Sequence, residues 1–327
     1  MMKKVVISHR LHDDGMAILE KANVKVAITN NGDPKVMLPE LLDADGLIIR
    51  IGSIDRETML QAKQLKVIGR PGVGVDDVDV KTATELGIPV VIAPGANTRS
   101  VAEHAFALMF ACAKDIVRSD KEMRKGNFAI RSSYKAYELN KKTLALIGYG
   151  NIGSILAQMA AAIGMTVKVY DPYVEQQVIE AKGYIYCATL DQAISGSEVI
   201  SIHTPLTAQT RNLIGRKEFG LMSENTILIN CARGGVVDED ALVEALSTHR
   251  IHSAGLDVFA SEPVDPNSPL MQLDNVIVSP HMAGQTKEAA SGVATMAAEG
   301  VIAVINGERW PYVCNPEAYD HPKWNKN

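Results

Sequence analysis

The chain has 327 residues, about twice the length of an ordinary domain, and therefore predicts two domains. Its 46% hydrophobic and 22% charged residues exclude a disordered, collagen-like or coiled-coil protein, and a net charge of −5 disfavours nucleic-acid binding, which needs a basic face. Because no signal peptide, no apolar stretch of about 18 residues and no CxxC pair occur, we expect a cytoplasmic protein with no bound metal and no membrane contact.

The first part of the chain alternates short apolar segments with helical patterns. A strand at residues 5–8 precedes a helix at 13–22, and further strands are predicted at 24–27, 46–51, 67–68 and 90–92. Alternation at a spacing of about 20 residues is typical of a parallel sheet with helices on both faces.

The pattern then changes to one long helix from residue 100 to about residue 126. Ser100 is its predicted N-cap, and Glu103 three residues later completes a capping box. Residues 127–142 are polar and aperiodic, which indicates a surface connection into a second unit.

A second alternating series begins at Thr143 and predicts a second doubly wound sheet. Its strands are predicted at 144–147, 166–170, 198–202, 226–230, 253–256 and 276–278. A helix at 287–306 follows, and Gly307 ends it. We predict that this helix returns to the first sheet. The domains are then 1–98 with 288–327, for the substrate, and 99–287, for the cofactor.

The glycine motif GYGNIG lies between the first strand of this series and a helical pattern, and in that context GxGxxG predicts a dinucleotide site. Gly148 makes the tight turn, Gly150 lets the backbone approach a pyrophosphate, and Gly153 allows helix and strand to pack closely. The amides near Asn151 and Ile152 would then point at the phosphates. A chance glycine turn is the alternative interpretation.

Asp171 ends the next predicted strand, 18 residues after Gly153. A carboxylate there accepts hydrogen bonds from both ribose hydroxyls and repels a 2′-phosphate, and Pro172 and Tyr173 supply no cation for such a phosphate. The spacing therefore predicts NAD rather than NADP. A surface aspartate is the alternative for this residue alone.

Three further polar residues follow predicted strands of the second series. Arg233 precedes two glycines, and its guanidinium suits the carboxylate and keto oxygens of a planar 2-keto acid. His281 is a candidate proton donor because histidine titrates near neutral pH, and Glu262 is the candidate carboxylate that orients it. Taken singly, each has a structural interpretation: a surface ion pair, a core histidine and a loop acid.

The chain resembles the D-isomer-specific 2-hydroxyacid dehydrogenases over residues 46–316, nearest the phosphoglycerate dehydrogenase and hydroxypyruvate reductase branch. The resemblance is carried by RPGVGVDDVD from Arg70, NTRSVAEH from Asn97, the glycine motif, SIHTPLT from Ser201, NCARGG from Asn230, LDVFASEP from Leu256 and SPH from Ser279. It implies an α/β fold of two doubly wound parallel-sheet, Rossmann-like domains with an interdomain cleft. It also implies a homodimer built partly by the long helix.

The resemblance further implies that Arg233 orients the substrate, that His281 is the general acid or base and that Glu262 assists it. The implied substrate-binding residues are Arg50, Val73, Gly74, Arg233 and His281. The implied cofactor-binding residues are Gly148, Tyr149, Gly150, Asn151, Ile152, Gly153, Asp171, His203, Thr204, Pro205, Cys231, Ala232, Arg233, Asp257, His281 and Gly284, with Asp257 at the nicotinamide.

The predicted reaction is hydride transfer between NAD(H) and a small D-2-hydroxy acid or its 2-keto acid, of the 3-phosphoglycerate or glycerate (hydroxypyruvate) type. Gly52 stands where phosphate-handling relatives often carry a second arginine beside Arg50, which leaves lactate-like, branched and sulfonated acids as alternatives. A non-catalytic NAD-sensing co-regulator is the alternative outside the enzymes. Because the sequence stops at Asn327, we expect no regulatory C-terminal extension.

Overall fold

The computed structural model describes residues 2–133 and 135–324. The chain forms two compact units, the first from Met1–Asn97 with Gln285–Asn327 and the second from Thr98–Gly284. Each unit is a parallel sheet packed with helices, which confirms the predicted α/β class. Tyr134 of the predicted 127–142 connection, and Met1 and residues 325–327 of the predicted first domain, lie outside the described residues.

The first unit contains a five-stranded parallel sheet in the order β2-β1-β3-β4-β5. Its strands are β1 Lys4–Ile7, β2 Lys25–Ile28, β3 Gly46–Ile48, β4 Val67–Gly69 and β5 Val90–Val91. Its first four helices are α1 Asp13–Lys21, α2 Pro34–Leu41, α3 Arg56–Gln61 and α4 Val80–Glu85. The apolar side chains of β1 are fully buried, as expected of a strand covered on both faces.

The second unit contains a seven-stranded parallel sheet in the order β12-β11-β10-β9-β6-β7-β8. Its strands are β6 Thr143–Ile147, β7 Thr166–Tyr170, β8 Ile185–Tyr186, β9 Val199–Ile202, β10 Ile227–Asn230, β11 Ser253–Leu256 and β12 Val276–Val278. Its helices are α5 Thr98–Ala113, α6 Ile116–Arg124, α7 Asn151–Ala162, α8 Gln176–Glu180, α9 Leu190–Ile194, α10 Arg216–Leu221 and α11 Glu239–Ser247.

Two apolar cores form on the faces of this second sheet. One contains the buried side chains of α5 and α7, and the other contains those of α9, α10 and α11. The strand order reverses at β6, which has β7 on one side and β9 on the other. Ligands of open α/β sheets bind at such a reversal, outside the carboxyl ends of the strands.

The single helix predicted at 100–126 is wrong, because α5 and α6 are separate helices. Asp115 lies between them with a φ of +52°, a left-handed conformation that interrupts the helix, and its carboxylate accepts hydrogen bonds from Arg118. One side of α5 is buried in the core, whereas α6 buries none of its residues. Ser100 is not the N-cap either, since α5 begins at Thr98.

The helix Lys287–Ile305 (α12) belongs to the first unit. It packs against α1 and β3 to β5, and Ala294, Ala297, Val301 and Val304 are buried there. Gly307, with a φ of +91°, follows its end as predicted. Although the sequence has no uninterrupted stretch of about 18 apolar residues, α12 is long and apolar enough by length and composition alone to cross a membrane. Its packing in the first unit is that of a core helix.

Candidate active site

The carboxyl ends of four neighbouring strands meet at one edge of the second sheet. Their register aligns Ile147 of β6 with Ile202 of β9, Asn230 of β10 and Leu256 of β11. The next residue along each of these strands belongs to the predicted cofactor set: Gly148, His203, Cys231 and Asp257. The fold therefore gathers residues from distant parts of the sequence at the point where the strand order reverses.

Two glycines of the turn between β6 and α7 are required by packing. Gly148 has a φ of +99°, and a Cβ there would lie 2.7 Å from the carbonyl oxygen of His203. A Cβ at Gly153 would lie 2.4 Å from the carbonyl oxygen of Gly148. The helix can start this close to the turn only because both positions lack a side chain.

Gly150 has no packing requirement of this kind. No described atom lies within 4 Å of a Cβ built at Gly150, and α7 begins at Asn151 without a side-chain cap from any described residue. The first amides of a helix lack intrahelical partners and attract phosphate groups. The segment from Tyr149 to Ile152 thus combines open space with N–H donors, which fits a pyrophosphate.

The Asp171 carboxylate, at the end of β7, is held beside the glycine turn. Its Oδ2 accepts a hydrogen bond from the Tyr149 amide at 2.7 Å, and its Oδ1 accepts one from the Tyr173 amide at 2.9 Å. A carboxylate accepts about four hydrogen bonds, so capacity remains for ribose hydroxyls. Its negative charge opposes a 2′-phosphate.

The segment after β9 lies against the glycine turn. Burial lowers the pKa of His203 to about 4, so its ring is neutral at physiological pH, and its Nε2 lies 2.8 Å from the Ser201 hydroxyl. The carbonyl of Pro205 accepts the Thr210 hydroxyl at 2.6 Å. Thr204 Oγ1 is buried without a hydrogen-bond partner among the described residues, and such an atom is available to a ligand.

Arg233 lies in the turn after β10. Asn230 fixes this turn by donating from Nδ2 to the Arg233 carbonyl at 2.9 Å and by accepting at Oδ1 from the Ala232 amide at 3.0 Å. A Cβ at Gly234 would lie 1.9 Å from the carbonyl carbon of Phe259, so the turn packs directly on the loop after β11. The Arg233 guanidinium donates from Nη1 to the Ala232 carbonyl at 2.8 Å.

His281 and Glu262 are in direct contact, although 19 residues separate them. The His281 Nδ1 lies 2.7 Å from Glu262 Oε2, and Glu262 Oε1 accepts a hydrogen bond from the Phe259 amide at 3.0 Å. A carboxylate at Nδ1 accepts the proton carried there, which leaves Nε2 to exchange a proton with a ligand. The His281 side chain is 52% exposed, so Nε2 is accessible.

Asp257 is completely buried at the same edge, and two residues absent from the predicted site contact it or its neighbours. Ser279 donates its hydroxyl to Asp257, and His104 of α5 contacts Ser279. Both lie in motifs that carry the family resemblance, NTRSVAEH and SPH, but neither is among the site residues that the resemblance implies. Burial, and then the charge of Asp257, raise the pKa of the Cys231 thiol, which is therefore neutral. Gly284 lies in the loop that follows His281, where the second unit ends.

The remaining predicted substrate residues lie in the first unit, after β3 and β4. Arg50 donates from Nη1 to the Arg10 carbonyl at 3.2 Å. Val73 and Gly74 lie in the loop after β4, where the Val73 side chain is half exposed.

Arg70 and Asp77 form an ion pair across this loop. Arg70 Nε lies 2.8 Å from Asp77 Oδ1 and its Nη2 lies 2.6 Å from Oδ2, while its Nη1 donates to the carbonyls of Ile49 and Arg50 at 3.0 Å each. The ion pair therefore holds both ends of the loop that carries Val73, and it ties that loop to the end of β3.

Gly52 is required by a backbone contact within the first unit. Its φ is +109°, and a Cβ there would lie 2.2 Å from the Cα of Gly32. This contact, rather than chance, excludes an arginine or any other side chain from position 52 in this backbone.

Comparison with known proteins identifies relatives that match most of this chain. The family model described as D-isomer specific 2-hydroxyacid dehydrogenase, NAD binding domain, matches residues 106–283. A D-3-phosphoglycerate dehydrogenase of Methanocaldococcus jannaschii is 41% identical over 96% of the chain, but the chain spans only 60% of that relative's length.

Two solved structures share the fold over nearly their whole length. A protein of Thermus thermophilus is 33% identical with a TM-score of 0.88, and 95% of this chain covers 99% of that one. The D-lactate dehydrogenase of Lactobacillus jensenii, solved with NAD+, is 31% identical with a TM-score of 0.78, and again 95% of this chain covers 99% of that one.

Proposed function

Because the chain belongs to the D-isomer specific 2-hydroxyacid dehydrogenase family, we propose that it is an NAD-dependent oxidoreductase that interconverts a small D-2-hydroxy acid and its 2-keto acid. The observation that carries this proposal is the 2.7 Å contact between His281 Nδ1 and Glu262, at the ligand-binding edge of a dinucleotide-binding sheet. A histidine held by a carboxylate and exposed at Nε2 is suited to general acid–base catalysis.

The second unit is that family's NAD binding domain, and its residues fit the cofactor. The open space at Gly150 and the amides from Tyr149 to Ile152 would hold the pyrophosphate, while Asp171 would accept the ribose hydroxyls. The Thr204 hydroxyl, Pro205 and the turn after β10 would line the rest of the site. When bound, NADH supplies the hydride that reduces the carbonyl carbon.

The side chains of the protein would supply the proton for the substrate oxygen and the positive charge that binds the substrate. During reduction, negative charge grows on the substrate oxygen, and the proton on His281 Nε2 neutralises it while Glu262 stabilises the ring through Nδ1. Arg233 offers a planar pair of donors to the substrate's carboxylate and keto oxygens. In this proposal the backbone of Val73 and Gly74 binds the same carboxylate.

For the substrate we propose 3-phosphoglycerate or glycerate, since the relative from Methanocaldococcus jannaschii is named a D-3-phosphoglycerate dehydrogenase. Arg50 would bind the group at C3. The backbone contact between Gly52 and Gly32 leaves no room for a second cation at position 52, and this favours the unphosphorylated acid.

NADH oxidation with a panel of 2-keto acids tests this proposal. The panel contains hydroxypyruvate, its 3-phosphate, pyruvate and branched analogues. We expect His281→Gln to lower kcat with the best substrate by about 10²–10⁴-fold, the usual contribution of a general acid, while NADH still binds. His249→Gln, at an exposed position of the second unit, is the control. Near-wild-type turnover by His281→Gln would rule out the assigned role.

We also propose a cytoplasmic homodimer. All four cysteines are unpaired thiols, which agrees with a reducing compartment. The helix α6 and the turn after it expose four large apolar side chains, and a face of this kind is suited to a second copy of the chain. They are Ile116, Val117, Met123 and Phe128.

A further inference from the structure

The carboxylate of Asp257 organises the loop between β12 and the end of the second unit. Its Oδ1 accepts a hydrogen bond from the Met282 amide at 2.9 Å, and its Oδ2 accepts one from the Ala283 amide at 2.8 Å. Its backbone carbonyl accepts the His281 amide at 2.8 Å. The backbone of His281 and of the two residues after it is thus tied to one buried aspartate, which is 0% exposed.

His281 needs this support because its backbone is strained. Its φ is +49°, in the left-handed region that residues with a Cβ seldom adopt. Such a conformation persists only where the surrounding contacts fix it. The direction in which the His281 ring projects therefore depends on how firmly Asp257 is held.

A second layer of hydrogen bonds holds Asp257. The Ser279 hydroxyl donates to Asp257 Oδ1 at 2.6 Å, and His104 Nε2 lies 2.8 Å from the same hydroxyl oxygen. A hydroxyl has one proton, and Ser279 gives it to the carboxylate, so Ser279 must accept the second bond. His104 consequently carries a proton on Nε2. The same nitrogen is 3.6 Å from Asp257 Oδ1.

We propose that His104 and Ser279 are positioning residues that fix the Asp257 carboxylate and, through it, the loop that presents His281. The expected effect of His104 on catalysis rests on the proposed function. The hydrogen bonds that link His104 to Asp257 do not, because they form without a substrate. His104 lies on α5, 175 residues from Ser279 along the chain, and it acts on His281 without touching it.

Hydrogen exchange tests the chain of contacts independently of turnover. The Met282 and Ala283 amide protons are those that the Asp257 carboxylate accepts. We expect His104→Leu and Ser279→Ala to speed amide exchange in residues 281–284, while exchange in the strands β6, β9 and β10 stays at the wild-type rate. His104→Gln, whose side-chain amide can donate to Ser279, should restore slow exchange.

Kinetics with the best 2-keto acid test the consequence for catalysis. We expect His104→Leu and Ser279→Ala each to lower kcat by about 10- to 100-fold, the scale of a small misplacement of a catalytic group. Because the hydrogen bond from His104 goes to Ser279 and not to Asp257 itself, the double variant should be little slower than Ser279→Ala. His104→Gln should recover most of the activity. Glu103→Gln, a neighbour on the exposed side of α5, is the matched control.

The exchange and kinetic experiments distinguish failure of the proposed function from failure of the positioning role. If no 2-keto acid is turned over by the wild type, the proposed function fails, while the exchange experiment still decides whether His104 holds the loop. If exchange in His104→Leu equals the wild type, or if the two single effects multiply in the double variant, the positioning role is wrong. Equal loss in His104→Leu and His104→Gln would also overturn it, since hydrogen bonding would then not be the cause.

Discussion

At the scale of single residues, Gly148 and Gly150 in the turn after β6 are glycines for different physical reasons. Gly148 lacks a side chain because its φ is positive and because the carbonyl of His203 occupies the space. At Gly150 the protein itself leaves room, and its φ of −78° suits any residue. The absence of a Cβ at Gly150 therefore matters only if a ligand occupies that space. The two positions can therefore be separated by experiment.

We expect Gly150→Ala to fold at least as well as the wild type, with a gain of up to about 1 kcal/mol from a less flexible unfolded chain. Its affinity for NADH should fall about tenfold or more, which is about 1.4 kcal/mol. Gly148→Ala, the matched comparison, should lose about 1–3 kcal/mol of unfolding free energy from backbone strain and contact. Urea unfolding and NADH fluorescence titration measure the two effects. Normal NADH affinity in Gly150→Ala would contradict the assigned pyrophosphate site.

His203 predicts a pH effect on stability. Its pKa is about 4 in the fold and near 6.5 in the unfolded chain. The unfolded chain therefore binds the proton first, and the stabilisation by neutral His203 is full above pH 6.5 and is lost as the pH falls toward 4. We expect His203→Gln, whose amide can still bond Ser201, to lose less unfolding free energy than the wild type between about pH 7 and about pH 5. An equal loss in both proteins would refute this; His249→Gln is the control.

The sequence alone could indicate residues whose role is set by local spacing. The glycine turn and Asp171 fall within one strand–helix–strand segment, so their arrangement follows from the motif. The chain His104, Ser279 and Asp257 could not be foreseen, because it joins a helix to two loops that meet only in the folded sheet. Likewise Gly52 looked like a missing arginine, whereas its backbone contact with Gly32 is visible only in three dimensions.

At the scale of elements, alternation of strand and helix predicted most of both sheets, with strand ends shifted by up to three residues. The two-residue strand β8 was missed, although β5, which is equally short, was predicted. The break between α5 and α6 was missed because apolar residues continue across it. The helix is interrupted there by the left-handed backbone of Asp115, whose carboxylate pairs with Arg118, although the hydrophobic pattern continues.

The loop after β4 shows how two side chains hold an element that has no regular structure. Burial raises the pKa of Asp77, and the charge and hydrogen bonds of Arg70 oppose this rise. We expect Arg70→Lys, which keeps the charge but loses the forked geometry, to raise the KM for the 2-keto acid about tenfold with unchanged NADH affinity.

Steady-state kinetics and NADH titration check this pair of outcomes. Arg56→Lys, whose exposed ion pair with Glu85 lies elsewhere in the same unit, is the control. If KM stays at the wild-type value, the loop of Val73 and Gly74 does not bind the substrate's carboxylate in the way proposed.

At the scale of the whole molecule, the proposed dimer depends on the apolar face of α6. We expect Ile116→Glu combined with Phe128→Glu to weaken dimerisation by about 2 kcal/mol or more, because buried apolar side chains contribute most to such interfaces. Sedimentation equilibrium measures the dissociation constant. Lys121→Glu, a charge change at an exposed position of the same helix, should have a smaller effect. An unchanged constant in the double variant would place the interface elsewhere.

The first unit is built from two separate segments of the chain, and this has a consequence for the newly synthesised protein. One face of its sheet, including Val5 and Val67, is covered by Ala297 and Val301 of α12, which are made more than two hundred residues after β1. On the ribosome, the strands of the first unit therefore emerge before the helix that completes their core. All residues of the second unit, 98–284, are synthesised before that helix. The second unit can therefore complete its core before the first, and until α12 emerges the uncovered face of the earlier sheet is a target for chaperones.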